Sequence, residues 1–329
     1  MAELPSPLAV RDIKNLGRDS GDTFAALLLV RRITAKTAKN GNSFLVVELG
    51  DKTGSFSANV FGDSPQFELF STCGEGAVVR IEAKVEYYMD RFSPRLQHAE
   101  RIAPDQLAGS PLMANLVETA PEDADALWAE MQQLIAAIGH AELRATAQAV
   151  FDEIGGLFRT APAAVAMHHA YRHGLLEHTV HVARAGRALL HLYPEVDADL
   201  ALTGILLHDI GKVVEYQGDL VTTRSRKGIL QGHVVLGYQL ARKAGLKAKL
   251  QPDLLERLEH IILSHQGELE WGAAALAATP EAVFVALVDN LDAKMGMVQR
   301  LLRQANDGDE FSERHPGLNS QILLSKPQK

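Results

Sequence analysis

The sequence predicts a multidomain fold, an N-terminal all-β barrel followed by an all-α helical bundle, and three observations carry that prediction. Between Phe24 and Ile102, five short apolar runs alternate with clusters of Gly, Asn and Asp. From Thr119 onward the apolar residues recur at helical spacing instead. Between Gly174 and Asp289, histidines and aspartates repeatedly interrupt strongly apolar runs. With 329 residues, 47% of them hydrophobic, the chain is long enough for about two domains with ordinary cores.

Residues 1–22 mix Pro, Arg, Asp and Gly and read as an N-terminal extension without an apolar leader segment. The barrel is expected over 23–105. Its strands are Ala25–Val30, Ser43–Leu49, Gly54–Phe61, Ala77–Val85 and Pro94–Ile102, divided at Lys39-Asn-Gly-Asn42, Gly50-Asp-Lys-Thr-Gly54 and Cys73-Gly-Glu-Gly76. Five such strands suggest an OB-fold, a barrel suited to gripping oligonucleotides. The basic first strand, the Gly-Asp-Lys-Thr-Gly turn and the strand ending in Val60-Phe61-Gly62 are similar to OB-folds of the tRNA-anticodon-binding type. Phe44, Phe56 and Phe61 are candidates to stack bases, with Arg31 and Lys52, and beside them Arg32, Lys36 and Lys39, to meet phosphates. The competing reading is that aromatics at alternate strand positions face the core. Residues 106–120, rich in Pro, Gly and Ser nearby, form the linker.

The helical domain is expected over 121–310, followed by a C-terminal tail at 311–329. Thr119-Ala-Pro-Glu122 opens it; Leu127, Met131, Leu134, Ile135 and Ile138 share one helical face, and a second run covers Leu143–Ile154. Asp199 is expected to cap a helix leading into His208-Asp209, with Gly211 as its stop. Pro252-Asp253 starts a helix with His260 and His265 toward its far end, and Thr279-Pro280-Glu281 opens the helix that carries Asp289. A carboxylate or an unpaired imidazole in an apolar run is costly unless a metal or hydrogen bonds compensate it. Repeated interruptions within one domain's length need a shared cause, and the simplest is a metal held between facing helices. Imidazoles and carboxylates without cysteine suit manganese, iron, nickel or zinc.

In order, these motifs read Gly-Leu-Leu-Glu-His178, His208-Asp209-Ile-Gly-Lys212, Gly232-His233, Ser264-His265-Gln-Gly and Asp289-Asn-Leu-Asp292-Ala-Lys. The set resembles the H…HD…D signature of the HD-domain metal-dependent phosphohydrolases. With an OB-fold, a helical spacer and His168-His169-Ala-Tyr171 ahead of it, the chain more narrowly resembles the YhaM family of 3′→5′ exoribonucleases, most tightly over residues 161–294. The resemblance implies that His178, His208, Asp209 and Asp289 hold the ion common to HD domains. His233 and His265 match a second, Asp209 bridges the two, and His260 is a further candidate ligand. The cofactor would be one or two divalent ions, manganese first, with iron, nickel, zinc or magnesium as alternatives. Asp209 and Lys212 are the catalytic candidates, Lys212 reaching a phosphate oxygen or the leaving group. Asp292 and His181 would support ligands from behind, and one of His168 and His169 would lie near the substrate. The implied reaction is hydrolysis of phosphodiester bonds of single-stranded RNA, and of single-stranded DNA as a second candidate, by a hydroxide generated at the metal. Two departures from the family pattern stand out: His173 replaces the first of two glycines, and Gln266 stands where a second histidine is usual.

The net charge is −8, which excludes a basic nucleic-acid arm; the first 105 residues carry −1 and the remainder −7. Contacts to nucleic acid must therefore use local patches. Arg224, Arg226 and Lys227 form one, and the apolar pair between Gly228 and Gly232 is expected to bring it back toward the metal site. The single Cys73 excludes an intramolecular disulfide and fits a reducing cytoplasm. No stretch approaches a membrane span, so the expected partner is single-stranded RNA or DNA, with a homo-oligomer left open. Two other classes compete: a phosphohydrolase of a nucleotide or signalling mononucleotide, which needs no N-terminal barrel, and a non-catalytic RNA-binding protein with a structural metal.

Overall fold

Short apolar strands build the first part of the chain. The computed structural model describes residues 7–16, 21–37, 41–88, 91–103, 106, 113–165, 169–218, 220–305 and 308–325. They divide into two compact units, Met1–Glu118 with Gly218–Val221, and Thr119–Gln217 with Thr222–Lys329. In the first unit, β1 (Thr23–Thr37), β2 (Ser43–Asp51), β3 (Gly54–Phe61), β4 (Val78–Lys84) and β7 (Arg95–Ile102) form an antiparallel sheet of order β3-β2-β1-β4-β7. A hairpin of β5 (Tyr87–Tyr88) and β6 (Arg91–Phe92) precedes the last strand. All five expected strands are present. On β3, Phe56, Ala58 and Val60 point inward while Ser57, Asn59 and Phe61 point out, the period-two pattern of a half-buried strand.

The first strand is longer than its apolar run because it serves two partners. Thr23–Leu29 pairs with β4, Leu29–Thr37 pairs with β2, and the register slips between Val30 and Arg32. Such a slip bends a strand and re-aims it, and β3 and β7, the two ends of the sheet order, come together. Phe24, Phe56 and Phe92 pack ring to ring inside. The helices α1 (Val10–Lys14), α2 (Phe67–Thr72) and α3 (Met113–Leu116) complete the unit. Buried Asp51 ties α1 to the β2–β3 turn by accepting from the backbone N–H groups of Val10 and Thr53 at 2.8 and 2.7 Å.

The second unit is helical: α4 (Ala124–Ala136), α5 (Ala141–Thr160), α6 (Gly174–Leu189), α7 (Ala198–Leu207), α8 (Lys212–Glu215), α9 (Arg226–Lys247), α10 (Pro252–Ser264) and α11 (Pro280–Gln304). A short hairpin, β8 (Tyr216–Gln217) with β9 (Thr223–Arg224), separates α8 from α9. Every residue of α7 from Leu200 to Leu207 is buried, so this helix is the centre around which α6, α10 and α11 pack. Leu200, Leu202, Ile205, Leu206 and Leu207 together contribute on the order of 10 kcal/mol by burial. That is enough to carry the polar pair His208-Asp209, which follows the helix, into the interior.

Two expected helix boundaries are corrected. The cap of α7 is Asp197, whose carboxylate accepts from Leu200 N at 2.8 Å. Asp199 instead accepts from the backbone N–H groups of Gly139 and His140, at 2.8 and 2.7 Å, fastening the α4–α5 turn. Helix α4 begins just after Thr119-Ala-Pro-Glu122, with Asp123 capping it. Gly211 is not a left-handed stop: its φ is −65°, and it is glycine because a Cβ there would overlap the His233 carbonyl and crowd Gly237 N at 2.5 Å. Thr279 does cap α11, accepting from Ala282 N at 3.2 Å with Pro280 following it.

Candidate metal centre

Each expected ligand comes from the middle or the end of a packed helix. His178 lies in the first half of α6, His208 and Asp209 follow α7, His265 follows α10, and Asp289 lies in α11. His233 follows Gly232, where α9 kinks through φ 70°, ψ 159°, a conformation that glycine adopts at little cost.

Two histidines are set in the same way. His208 donates Nδ1–H to the Ile205 carbonyl and His265 donates Nδ1–H to the Ile262 carbonyl, both at 2.7 Å and both three residues back. Their Nε2 atoms then present lone pairs, and both lie near Asp209: His208 Nε2 is 3.3 Å from Oδ2 and His265 Nε2 is 3.5 Å from Oδ1. His233 donates Nδ1–H to Glu215 at 2.8 Å and brings Nε2 to 3.6 Å from Asp209 Oδ1. His178 Nε2 lies 3.1 Å from Asp289 Oδ1, 3.3 Å from His208 Nε2 and 3.5 Å from Asp209 Oδ2. The side chains of His178, His208 and Asp209 thus converge on one point, and Asp209, His233 and His265 on another, with Asp209 common to both.

The electrostatics of this cluster call for a cation. Asp209 Oδ1 is buried and accepts no hydrogen bond, while imidazole lone pairs face it. An orphaned buried oxygen of this kind is expensive, and the donor set of imidazoles and carboxylates fits a divalent ion that accepts N and O ligands. Burial works against the charge of Asp209, but Lys212 and His208 outweigh it and hold the carboxyl well below the usual carboxylate range. Burial also works against His178, yet hydrogen bonds to Asp289 and Asp292 raise its pKa to about 10. For His265 burial dominates and lowers the pKa, so its ring is neutral and ready to ligate.

Lys212 corrects its expected role. Its Nζ is buried and donates to Asp209 Oδ2 at 2.6 Å, so it neutralises the central carboxylate instead of reaching outward to a phosphate. Burial opposes its charge, but Asp209 beside it gives a net upward shift in its pKa. His260 is also displaced from its expected place: its Nε2 accepts from Ala278 N at 2.8 Å, and it joins neither convergence point.

Behind the candidate ligands stands a second, hydrogen-bonded layer. Asp292 accepts from His178 Nδ1 at 2.7 Å and from His169 Nε2 at 3.0 Å, and it lies 3.5 Å from His181 Nδ1. Burial opposes its ionisation, but these histidines push its pKa far down. His181 Nε2 reaches Glu122 at 2.5 Å, and Arg184 clasps Glu122 and Glu130. His169 Nδ1 lies 3.0 Å from Glu177, which also accepts from the Tyr171 hydroxyl. Asp292 and His181 therefore stand where the sequence put them. His169 backs Asp292 and does not face outward, while His168 lies outside the described residues. Glu215, Glu177 and Glu122 were not anticipated. Glu177, inside Gly-Leu-Leu-Glu-His178 and next to a ligand, carried the one readable hint.

The expected substrate contacts divide. Arg224, Arg226 and Lys227 are exposed, and Arg224 Nε lies 3.5 Å from Glu215, the residue that orients His233. In the sheet unit, Phe56 is only 6% exposed and belongs to the core, which corrects its expected role in stacking. Phe61 is 51% exposed and pairs across the strands with Phe44, their rings 5.5 Å apart. Lys36 sits opposite Phe44 on the next strand, giving an outward row of Lys36, Phe44 and Phe61. Lys52 is exposed on the β2–β3 turn, whereas Arg31 spends a donor on the Asp51 carbonyl at 2.6 Å. Cys73 is buried, and burial pushes its thiol pKa up. Among the described residues, no helix is long and apolar enough to cross a membrane.

Comparison with known proteins places this geometry in context. The HD domain family matches residues 175–294, the stretch that holds every proposed ligand. A protein of Shouchella clausii named 3′-5′ exoribonuclease YhaM is 32% identical over 300 residues, covering 91% of this chain and 92% of that one. Proteins of the same name from Listeria innocua and Halalkalibacterium halodurans are each 30% identical, over 94% and 89% of this chain and 97% and 90% of their own.

Proposed function

The chain belongs to the YhaM family, and from that premise we infer that it is a metal-dependent 3′→5′ exoribonuclease acting on phosphodiester bonds of single-stranded RNA. One observation supports the chemistry above the others: the buried, unpaired Asp209 Oδ1 faces two imidazole lone pairs, a cradle that a cation completes. In this reading His178, His208, Asp209 and Asp289 hold one divalent ion. Asp209, His233 and His265 hold a second, and manganese is the first candidate for both. When bound, such ions lower the pKa of a water and withdraw charge from phosphoryl oxygens.

The chain's own residues supply orientation. Backbone carbonyls fix His208 and His265, Glu215 fixes His233, and Asp292 fixes His178, each by taking the Nδ1 proton so that Nε2 faces inward. Lys212 keeps Asp209 ionised. We read the N-terminal sheet as an OB-fold whose outward row Lys36–Phe44–Phe61 stacks bases, with Arg32 and Lys52 meeting phosphates. Arg224, Arg226 and Lys227 would meet phosphates close to the chemistry, single-stranded DNA would be a second substrate, and the protein would work in the cytoplasm. The mononucleotide phosphohydrolase is disfavoured, because it has no use for an aromatic sheet face. The test is incubation of the purified protein and manganese with 5′-labelled single-stranded RNA. A ladder shortening from the 3′ end, abolished by chelator, is expected; an unchanged substrate, or internal fragments from the outset, would overturn the reading.

A further inference from the structure

His233 and His265 give their Nδ1 protons away from the centre, to Glu215 and to the Ile262 carbonyl, so both Nε2 atoms are acceptors. The group that meets both is the side-chain amide of Gln266. Its nitrogen lies 2.9 Å from His265 Nε2 and 3.2 Å from His233 Nε2. A carboxamide NH2 has two protons and can give one to each ring. Turned around, the amide would set its oxygen against two imidazole lone pairs, so electrostatics select the end that points inward. Asp209 Oδ1, facing the same two rings, receives neither proton. Both lone pairs that a second ion would need are therefore already satisfied by the protein. The side chain also has a way out, because Gln266 is itself only half-buried.

We propose that Gln266 is a built-in competitor for the second metal ion, its carboxamide occupying His233 and His265 until an ion displaces it. The proposal rests on the metal-centre reading above. None of the His178–His208–Asp209–Asp289 cluster bonds to Gln266, so the ion there loads without this competition. Loading is thus ordered, and the second ion binds more weakly than its three ligands alone would allow. Gln266 acts as a positioning residue: it tunes occupancy and does not touch the reacting atoms.

The test is calorimetric titration of Mn2+ into metal-stripped full-length protein, wild type beside Gln266→Ala, with ion content counted at saturation. The expected result is a first binding event unchanged by the substitution and a second that tightens about tenfold, the effect of removing one or two neutral hydrogen bonds from the competing state. The Mn2+ concentration giving half-maximal hydrolysis should fall in parallel. One ion in wild type and two in Gln266→Ala would support the proposal in its strongest form. A second event that is unchanged in the variant overturns it, as does one ion in both proteins. A weaker second event also overturns it and makes the carboxamide oxygen a ligand. Failure of the underlying reading looks different: wild type would take up no Mn2+ at all, and both ideas would fall.

Discussion

Asp209 and Lys212 are buried as a pair, 2.6 Å apart, so removing one leaves the other uncompensated. Asp209→Ala should therefore do two separable things. It should abolish hydrolysis and metal uptake, and it should cost about 3–5 kcal/mol of stability through the stranded ammonium. Adding Lys212→Met should restore most of the stability and none of the activity; urea unfolding with metal analysis reads both, and a double variant no more stable than the single one would contradict the pairing. His178 sets a pH dependence. Its pKa in the folded, metal-free protein is raised from 6.5 to about 10, so its share of stability is full below 6.5 and is lost as pH rises through about 10. Over that window an ion must displace its proton, while the ionised aspartates of that site release none. Manganese affinity at the first site should then rise about tenfold per pH unit, with one proton released per ion. Calorimetry at pH 7 in buffers of different ionisation enthalpy counts that proton, and a count of zero would refute the assignment. The candidate ligands stand out in the sequence because each is a polar residue breaking an apolar run. Glu215 and Glu122 were not, because a residue that orients a ligand from behind need not lie near it in the chain. Lys212 was misjudged because reading Gly211 as a helix stop put the lysine at the surface.

At the level of elements, the departure at His173 has a physical account. The residue precedes α6 with φ 67°, a left-handed conformation that favours glycine, and its Nδ1–H donates to the Arg159 carbonyl at 2.5 Å. The strain of roughly 1 kcal/mol and a hydrogen bond of similar worth nearly offset each other. His173→Gly should leave stability within about 0.5 kcal/mol of wild type, and His173→Ala, which keeps the strain and loses the bond, should cost about 1 kcal/mol. Thermal unfolding of both variants checks this; equal losses would remove the strain from the account. Strand positions were legible from apolar runs divided by turn clusters, but the length of β1 was not, since Arg31–Thr37 is held by pairing to β2 and not by an apolar run of its own. The helix start at Asp197 was missed in favour of Asp199 because more than one side chain able to cap crowds the boundary. Which one caps depends on backbone geometry: Asp199 lies two residues past the real cap and serves a different turn.

For the whole molecule the claim is a division of labour: the sheet unit grips the strand and the helical unit cleaves it. Phe44→Ala with Phe61→Ala in the full chain should raise KM on long single-stranded RNA at least about fivefold, stacking being worth about 1–3 kcal/mol per base. The kcat on a dinucleotide should be unchanged. Phe56→Ala supplies the contrast, a core cavity costing about 3–5 kcal/mol of stability with no selective effect on long RNA. Equal KM changes for long and short substrates would leave the outward row without its role. The two-part fold and the order of the metal motifs were legible because both are local patterns, and Asp209 was expected to serve both clusters; how α7, α9 and α10 pack to bring those clusters together is not a local pattern. The most direct test of the central claim, that these side chains hold the ions that make hydrolysis possible, is a stoichiometric Mn2+ titration of metal-stripped protein followed by ion content and RNA cleavage together, in wild type and His208→Ala. Unlike Asp209→Ala, this substitution leaves the buried Lys212 ammonium with its carboxylate partner. The account predicts that cleavage tracks bound ion in wild type, and that His208→Ala loses tightly bound Mn2+ and falls at least about a thousandfold in rate while remaining folded. A folded His208→Ala that keeps both its metal and its activity would contradict it.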